Sequence, residues 1–320
     1  MTEHILKVPD KVRRTAMSFG AAGEAWLSSL PEQIDKIARD WGLTLGEAPG
    51  GGTEAYVVFA KTRTGEDAVL KLTVAGIDPT RQELRTLRAA NGRGYAKLLR
   101  ADEVQNVMLL EKLGPQLHAL ALPEARVMEI IAATLKEAWQ VKPEGPAFAT
   151  GAERAREFGG VVATNWALLG QPCPERTFDA VLLAASRREL DFDPAQAVLA
   201  HGDAHEWNTL QAPGSATGFK FVDPDGAFAE RAFDLAIPMR EWGAVRPAGD
   251  LLELGMRRCQ LLSRFSGVAM SAIWDWSLVQ LVWNAFLLLQ VGLDRPAMVS
   301  LAMADAFVAG GVFDAAASSR

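Results

Sequence analysis

The sequence predicts an α+β protein of two lobes, in which an antiparallel-sheet lobe precedes a mainly helical lobe. Strand-like runs separated by turn residues fill the first third of the chain, and helical patterns of apolar residues fill most of the remainder. The two regions meet where an apolar run ends at Leu113-Gly114-Pro115. We therefore predict an N-terminal lobe over residues 1–112 and a C-terminal lobe over residues 113–320, with ligands bound between them.

The first lobe is predicted to begin with a helix and to continue as a sheet. Apolar positions at helical spacing predict a helix over residues 22–41, which we expect to break at Pro31. Turn residues at 49–52 and 64–67 delimit the strands that follow. Strands are predicted over residues 55–61, 68–74, 96–100 and 107–110, and a further helix over residues 79–90. The pattern indicates a sheet of about five strands with one inserted helix.

The second lobe is predicted to contain helices and only short strands. Helices are predicted over residues 123–140, 151–169, 175–190, 249–265 and 270–291. Strand-like runs are confined to residues 197–200, 209–211 and 219–222.

Composition limits the class of protein. The chain has 320 residues, of which 49% are hydrophobic and 22% are charged, as in ordinary globular proteins. A formal net charge of −6 disfavours a nucleic-acid partner, because binding to the phosphate backbone needs an excess of Lys and Arg, and it suits a cationic ligand. Cys173 and Cys259 lie far apart without metal-ligand spacing, which favours a reducing, cytoplasmic location. The apolar segment 278–291 is too short and too polar to span a bilayer, so no membrane partner is expected.

Two short motifs have the residue types and the spacing of a catalytic site: HGDAHEWN at residues 201–208 and FVDPDG at residues 221–226. Phosphoryl transfer needs a carboxylate near the attacking hydroxyl and oxygen ligands for Mg²⁺. Asp203 and Asn208 have the D-x-x-x-x-N spacing of a protein-kinase catalytic loop, and Asp223 stands where the D-F-G aspartate stands. We predict that Asp203 is the base and that Asn208 and Asp223 hold magnesium. Asp225 is either a second metal ligand or a turn residue.

Two other interpretations compete for these residues. His201, Asp203 and His205 alternate as in a hydrolase-type metal cluster, which would need further histidines, and only His4 and His118 remain. Alternatively, Asp203 caps a helix and Asn208 lies in a turn, the usual role of such residues. The joint spacing of both residues with Asp223 favours the phosphoryl-transfer interpretation, in which His201 and His205 support the loop.

A nucleotide site is indicated in the first lobe. Lys71 lies in an apolar strand and would need an anionic partner, for which Glu83 on the next helix is the candidate, as in the ion pair that holds nucleotide phosphates in kinases. No P-loop motif occurs, so the glycine turn before the 55–61 strand is the candidate phosphate cover. The MLLEKL run at 108–113 has the profile of an inter-lobe hinge that binds adenine through its backbone, the alternative being an edge strand. The additional nucleotide-binding candidates are Gly51, Gly52, Glu111 and Leu113.

With these residues, the chain resembles the aminoglycoside phosphotransferase superfamily, and within it the streptomycin phosphotransferase or aminoglycoside/hydroxyurea resistance kinase group. The likeness includes GEAWL at 23–27, WGLTLG at 41–46, ELRTLR at 83–88 and LLEKL at 109–113. It implies a protein-kinase-like fold, ATP and Mg²⁺ as cofactors, and the roles given above. It also implies that Asp234 supports the catalytic loop. The group usually shows Gly-Asp-Pro before this aspartate, where the chain has Ala-Glu-Arg at 229–231.

The expected activity is transfer of the ATP γ-phosphate to a hydroxyl of a small, polar or cationic acceptor such as a streptomycin-like aminoglycoside. Glu230 and Glu241, with Asp250 and Glu253, are the carboxylates expected to wall the acceptor pocket. The alternatives are a metabolic kinase of another sugar or small alcohol, or a catalytically silent nucleotide-binding protein of the same fold. A protein kinase would require the H-R-D, D-F-G and A-P-E signatures, which the sequence lacks.

Overall fold

The computed structural model describes residues 7–50, 52–76, 80–142, 148–242 and 247–311. Internal contacts divide the chain into two compact units, residues 1–114 and residues 115–320. The first unit contains an antiparallel sheet and the second is mainly helical, so the predicted α+β class is confirmed.

The first unit is built around a five-stranded antiparallel sheet with the strand order β1-β2-β3-β5-β4. Its strands are β1 Thr44–Leu45, β2 Ala55–Lys61, β3 Asp67–Thr73, β4 Leu98–Asp102 and β5 Val107–Glu111. Its helices are α1 Asp10–Ser18, α2 Ala21–Trp41 and α3 Thr80–Ala90. Ala68, Leu70 and Leu72 of the central strand are buried in one apolar cluster with residues of α1 and α2. Because side chains alternate along a strand, Lys71 lies on the other face.

Helix α2 runs through Pro31 without interruption, so the predicted break is wrong. Its buried face explains why the helix continues, and it consists of Trp26, Leu30, Ile34 and Ile37. Burial of each such side chain contributes roughly 1.5–3 kcal/mol. Together they outweigh the ~3 kcal/mol that a proline costs inside a helix.

The second unit is mainly helical. Its helices are α4 Glu124–Ala138, α5 Gly151–Leu168, α6 Glu175–Leu190, α7 Arg231–Arg240, α8 Leu251–Ser266, α9 Met270–Gln290 and α10 Asp294–Ala309, with a 3₁₀ helix at Leu117–Leu120. Its strands are β6 Val198–Ala200, β7 Thr209–Gln211, β8 Phe219–Phe221 and β9 Ala227–Ala229. Helices α1, α7 and α10 and strands β1 and β9 were not predicted from the sequence.

Helix α9 is long and apolar enough, by length and composition, to cross a membrane. About two thirds of its apolar window is buried inside the protein, where it packs against α5, α6, α7 and α10. Its polar residues also have partners there: Gln280 donates to the Phe233 carbonyl at 3.0 Å, and Asp275 accepts from Arg187 at 2.6 Å. A helix with these contacts is the core helix of its unit.

Two small antiparallel pairs position the predicted motifs. Pairing of β6 with β9 sets Ala200 opposite Ala227, so His201 emerges beside the turn that holds Asp225. Pairing of β7 with β8 sets Thr209 opposite Phe221, and the Val222 N–H donates to the Asn208 carbonyl at 3.0 Å. The loop 201–208 and the turn 222–226 therefore lie side by side.

Candidate active site

His201 joins the loop to the neighbouring turn and is completely buried. Its Nδ1 accepts from the Asp203 backbone N–H at 3.0 Å, so the other ring nitrogen carries the proton and donates to the Val222 carbonyl at 3.0 Å. Its own carbonyl accepts from the N–H groups of Asp225 and Gly226 at 2.9 and 3.1 Å. Burial lowers the pKa of His201 to about 4, so the ring is neutral. Its two hydrogen bonds connect the loop to the turn.

Asp234, in the first turn of α7, holds the start of the loop. Its carboxylate accepts from the backbone N–H groups of His201 and Gly202 at 3.0 and 2.8 Å and from the Trp139 indole at 2.8 Å. Burial raises the pKa of Asp234 to about 6 despite these three donors. Gly202 has a φ of +85°, and a Cβ there would lie 3.0 Å from Asp225 Cβ, so only glycine fits this turn.

Asp203 is surrounded by donors. Its Oδ1 accepts from Arg240 Nη2 at 2.6 Å, and its Oδ2 lies 3.0 Å from Asn208 Nδ2 and 3.1 Å from His205 Nε2. Burial alone would raise the pKa of Asp203, but the His205 hydrogen bond and the nearby positive charges outweigh it and hold the pKa well below its usual value. The group is therefore a fixed carboxylate. Burial opposes the charged form of His205, yet the contact with Asp203 raises its pKa above the usual value.

The donor set near the loop fits a hard divalent cation. Asn208 uses its amide nitrogen on Asp203, so its amide oxygen is the atom it would offer a metal. Asp223 follows Val222, the backbone partner of Asn208, and is exposed. Its φ of +56° is in the left-handed region, which aspartate tolerates and which recurs at functional sites. Asp225 is also exposed and lies in the same turn, which leaves both of its predicted roles open.

The hydrolase-type metal cluster is not supported by the histidines. Both ring nitrogens of His201 already have partners, and His205 accepts from the Asn208 N–H at 3.3 Å through Nδ1. Among the described residues, no group of three or more His, Cys, Asp or Glu side chains is arranged to hold a metal ion.

The first unit brings together Lys71 and Glu83. Lys71 Nζ lies 2.7 and 2.8 Å from the two Glu83 carboxylate oxygens, and both side chains are nearly buried. Gly52, just before β2, has a φ of +97°, and a Cβ there would lie 2.9 Å from the Ala55 carbonyl. Gly51 lies outside the described residues.

The predicted hinge at 108–113 consists mostly of β5 and ends two residues after it. Because β5 pairs with both β3 and β4, it is not an edge strand, and that alternative interpretation is wrong. The Glu111 carboxylate accepts from the Lys97 N–H at 2.7 Å, which ties this end of β5 to β4. Leu113 is half-buried. The roles predicted for the nucleotide-binding residues of this unit remain predictions.

A cavity of about 210 Å³ opens beside the loop within the second unit. Its lining includes apolar side chains of α4, such as Met128 and Ile131. The polar side chains of the lining are His205, the carboxylates Glu124, Glu206 and Glu241, and the guanidinium of Arg258, which pairs with Glu124. Glu206 also lies 2.9 Å from His118, whose ring stacks on Trp207 at 3.7 Å. The cavity therefore joins an apolar wall to an acidic edge next to Asp203.

Glu230 lies elsewhere. Its carboxylate accepts from the Trp276 indole at 2.8 Å and from Arg188 at 3.3 Å, at the start of α7. Burial raises its pKa. These contacts favour a structural role over the predicted acceptor role, because the group already has partners inside its own unit. Asp250 likewise caps α8 by accepting from the Glu253 N–H at 3.0 Å.

Known proteins resemble this chain over most of its length. A family model described as aminoglycoside/hydroxyurea antibiotic resistance kinase matches residues 41–285. The chain belongs to this family. It is therefore a phosphotransferase that acts on a hydroxyl of a small molecule, as the sequence analysis predicted.

This kinase is similar to two characterised relatives and to one solved structure. It is 29% identical to streptomycin 6-kinase from Streptomyces glaucescens, over 95% of this chain and 98% of the relative. It is 29% identical to hydroxyurea phosphotransferase from Kitasatospora aureofaciens, over 72% of this chain and 67% of the relative. The ternary complex of a thermostable aminoglycoside phosphotransferase APH(4)-Ia mutant with AMP-PNP and hygromycin B matches with a TM-score of 0.60 at 14% identity, covering 87% and 98% of the two chains. That similarity shows the fold, which is the predicted kinase-like one.

Sequence reasoning missed one residue of the site. Arg240 contacts Asp203 across 37 positions of sequence, from the last turn of α7. Only its place in the segment 237–242, after the Asp234 motif, gave a signal, since a single arginine has no diagnostic spacing.

Proposed function

We propose that this kinase transfers the γ-phosphate of ATP to a hydroxyl of a cationic, streptomycin-like aminoglycoside. The observation that supports this most is the loop 201–208, in which Asp203 is fixed next to Asn208 and the Asp223 turn. The streptomycin 6-kinase relative, which aligns over nearly its full length, supports the choice of acceptor. ATP supply and two buried thiols suit a cytoplasmic reaction.

In the proposed mechanism, Asp203 orients the acceptor hydroxyl and takes its proton as the new O–P bond forms and ADP leaves. Asn208 and Asp223, with Asp225 as a further candidate, would hold Mg²⁺ through oxygen atoms. Bound Mg²⁺ would neutralise charge on the phosphate oxygens during transfer. His201 and His205 keep the loop rigid, since each joins a ring nitrogen to its backbone.

We assign nucleotide binding to the first unit and the acceptor to the second. Lys71 would bind the α- and β-phosphates through its ammonium group. Glu83 orients this group through two short contacts in a nearly buried site. The glycine turn predicted before β2 would cover the phosphates through N–H groups. The backbone from Glu111 to Leu113 would bind adenine.

The acceptor is assigned to the cavity beside the loop. Glu206 and Glu241 supply negative charge there, and a cationic sugar gains charge-assisted hydrogen bonds from such carboxylates. The apolar α4 wall suits the face of a ring. A smaller acceptor such as hydroxyurea is the second candidate, favoured by the hydroxyurea phosphotransferase relative.

The test is an acceptor panel. Purified protein with ATP and Mg²⁺ is incubated with streptomycin, other aminoglycosides, hydroxyurea, simple sugars or a generic protein. ADP release and the mass of the product are then measured. We expect phosphorylation of a streptomycin-type compound. Turnover restricted to neutral sugars or to hydroxyurea would overturn the proposed acceptor, and no acceptor-stimulated turnover with any compound would overturn the kinase mechanism.

Matched variants test the cavity. Glu206→Gln and Glu241→Gln should each raise KM for the cationic acceptor by roughly tenfold, as loss of a charge-assisted bond predicts, and leave KM for ATP unchanged. Glu157→Gln removes a comparable exposed carboxylate on α5, paired with Arg154, and serves as the control. Equal effects of all three substitutions would remove the cavity from the proposal.

A further inference from the structure

The Arg240–Asp203 contact is the shortest polar contact of the Asp203 carboxylate. Arg240 Nη2 lies 2.6 Å from Asp203 Oδ1, and the two side chains are only 12% and 26% exposed. Hydrogen bonds between ions are stronger than neutral ones, and partial burial strengthens them further. This arginine therefore restricts the rotation of the carboxylate that the proposed mechanism uses.

The position of Arg240 is itself fixed. Helix α7 contacts the loop at both ends, since Asp234 in its first turn binds the backbone of His201 and Gly202, and Arg240 in its last turn binds Asp203. Arg258 of α8 donates to the carbonyl oxygens of Pro238 and Glu241 at 2.8 and 3.1 Å.

Arg258 is held in turn by two neighbours. Its guanidinium lies 3.7 Å from the centre of the Trp242 ring and donates to Glu124 at 2.8 Å. The last turn of α7, which carries Arg240, is thus held by contacts with α4 and α8.

The remaining acceptor capacity of Asp203 identifies the reacting oxygen. A carboxylate offers two lone pairs on each oxygen. Among the described residues, Oδ2 accepts from both Asn208 and His205, whereas Oδ1 accepts from Arg240. The vacant lone pair is on Oδ1, directly beside the guanidinium.

We propose that Arg240 is a positioning residue, which holds Asp203 so that Oδ1 receives the acceptor hydroxyl. The inference rests on the proposed role of Asp203 as base. In the step, the acceptor O–H bond breaks and its proton passes to Oδ1, while the acceptor oxygen bonds to the γ-phosphorus and the bond from that phosphorus to ADP breaks. Without Arg240 only the Oδ2 contacts with Asn208 and His205 remain, so Oδ1 is no longer held and leaves its productive place.

The test is a double-mutant cycle on kcat with Arg240→Met, Asp203→Asn and the double variant. Arg240→Met alone should lower kcat by about 10²-fold, the loss typical of a misplaced catalytic group, with KM for ATP nearly unchanged. In the Asp203→Asn background the same change should cost less than about threefold, because Arg240 acts through Asp203. Arg240→Lys should recover part of the loss, since it keeps the charge without the planar fork. Arg156→Met, which removes an exposed arginine paired with Glu189, is the control.

Equal losses from Arg240→Met in both backgrounds would overturn the inference, because a residue that only supports the fold loses the same amount with or without Asp203. The cycle is also measured on ATP hydrolysis without acceptor, where water takes the place of the hydroxyl, and on urea unfolding. If the wild type phosphorylates no aminoglycoside, the proposed acceptor is wrong, but the rates of ATP hydrolysis still measure the coupling between Arg240 and Asp203. If the wild type does not turn over ATP at all, the proposed function is wrong. In that case, additive losses in the free energy of unfolding would overturn the inference as well.

Discussion

At the scale of single residues, Asp203 owes its position to partners of different origin. Asn208 and His205 belong to the same loop as Asp203, whereas Arg240 belongs to helix α7. The D-x-x-x-x-N spacing predicted that Asn208 shares a short loop with Asp203, although as a metal ligand and not as its hydrogen-bond donor. The distant partner was not predictable, because a contact over 37 positions depends on how α7 packs.

The first prediction concerns this carboxylate. Asp203→Asn keeps the shape but loses the charge, so kcat should fall about 10²–10⁴-fold, as is typical when a general base is removed. Affinity for ATP, measured by calorimetry, should change little, because the group is assigned to the acceptor. A variant with near wild-type kcat would show that Asp203 is not the base.

The second prediction concerns Lys71 and Glu83. Each substitution, Lys71→Met or Glu83→Gln, should reduce kcat/KM for ATP, and the double variant should lose little more than the worse single one, since the two side chains form one unit. Steady-state kinetics at varied ATP measures this. Strictly additive losses in free energy would contradict the pairing.

At the scale of elements, the start of α7 shows that a carboxylate predicted to bind the acceptor can have partners within its own unit. Glu230 precedes α7 and is acidic, which is what the sequence analysis expects of an acceptor residue, but its carboxylate contacts Arg188 and Trp276. Arg188 also lies 3.2 Å from Asp275 of α9, so these contacts join α6, α7 and α9. Sequence patterns give the charge of a residue but not the surface it meets. The same limit explains α2, where a buried face overrides Pro31.

The third prediction follows from those contacts. Glu230→Ala removes the acceptor of the Trp276 indole and of Arg188 at a half-buried site, so the free energy of unfolding should fall by about 1–3 kcal/mol, the cost of leaving such donors unpaired. KM for the acceptor should not change. Urea denaturation and kinetics measure the two quantities, with Glu157→Ala as the control. An unaltered stability combined with a higher acceptor KM would restore Glu230 to the acceptor site.

At the scale of the whole molecule, the strand pairs of the second unit create the site. Residues 201 and 225 meet only because β6 pairs with β9, and residues 208 and 222 meet only because β7 pairs with β8. Burial of His201 at this junction also makes the stability of the protein depend on pH.

The fourth prediction concerns that dependence. The pKa of His201 is about 4 when folded, below the value of 6.5 expected when unfolded. The unfolded state therefore binds more protons between these values, so the His201 contribution is complete above pH 6.5 and is lost as pH falls towards 4. Its upper limit is about 3 kcal/mol.

His201→Asn isolates this term, because its amide oxygen can accept from the Asp203 N–H but the group does not titrate. Asp234 and His205, whose pKa values are raised, act in the opposite sense and are present in both proteins. The difference in unfolding free energy between wild type and variant should therefore shrink from pH 7 to pH 4. A constant difference would show that His201 is not held neutral by burial.

The sequence by itself determined the α+β class, the strands β2 and β7 with their bounds, the presence of helices α2 to α6, α8 and α9, and the spacing of Asp203, Asn208 and Asp223. These features depend on local periodicity and short motifs, which can be recognised in the sequence without knowledge of tertiary contacts. Tertiary structure alone decided the contact of Arg240 with Asp203, the neutral state of His201 and the structural engagement of Glu230. Each depends on burial and on partners far away in sequence, because the energy of a charged group is set by what surrounds it once water is excluded.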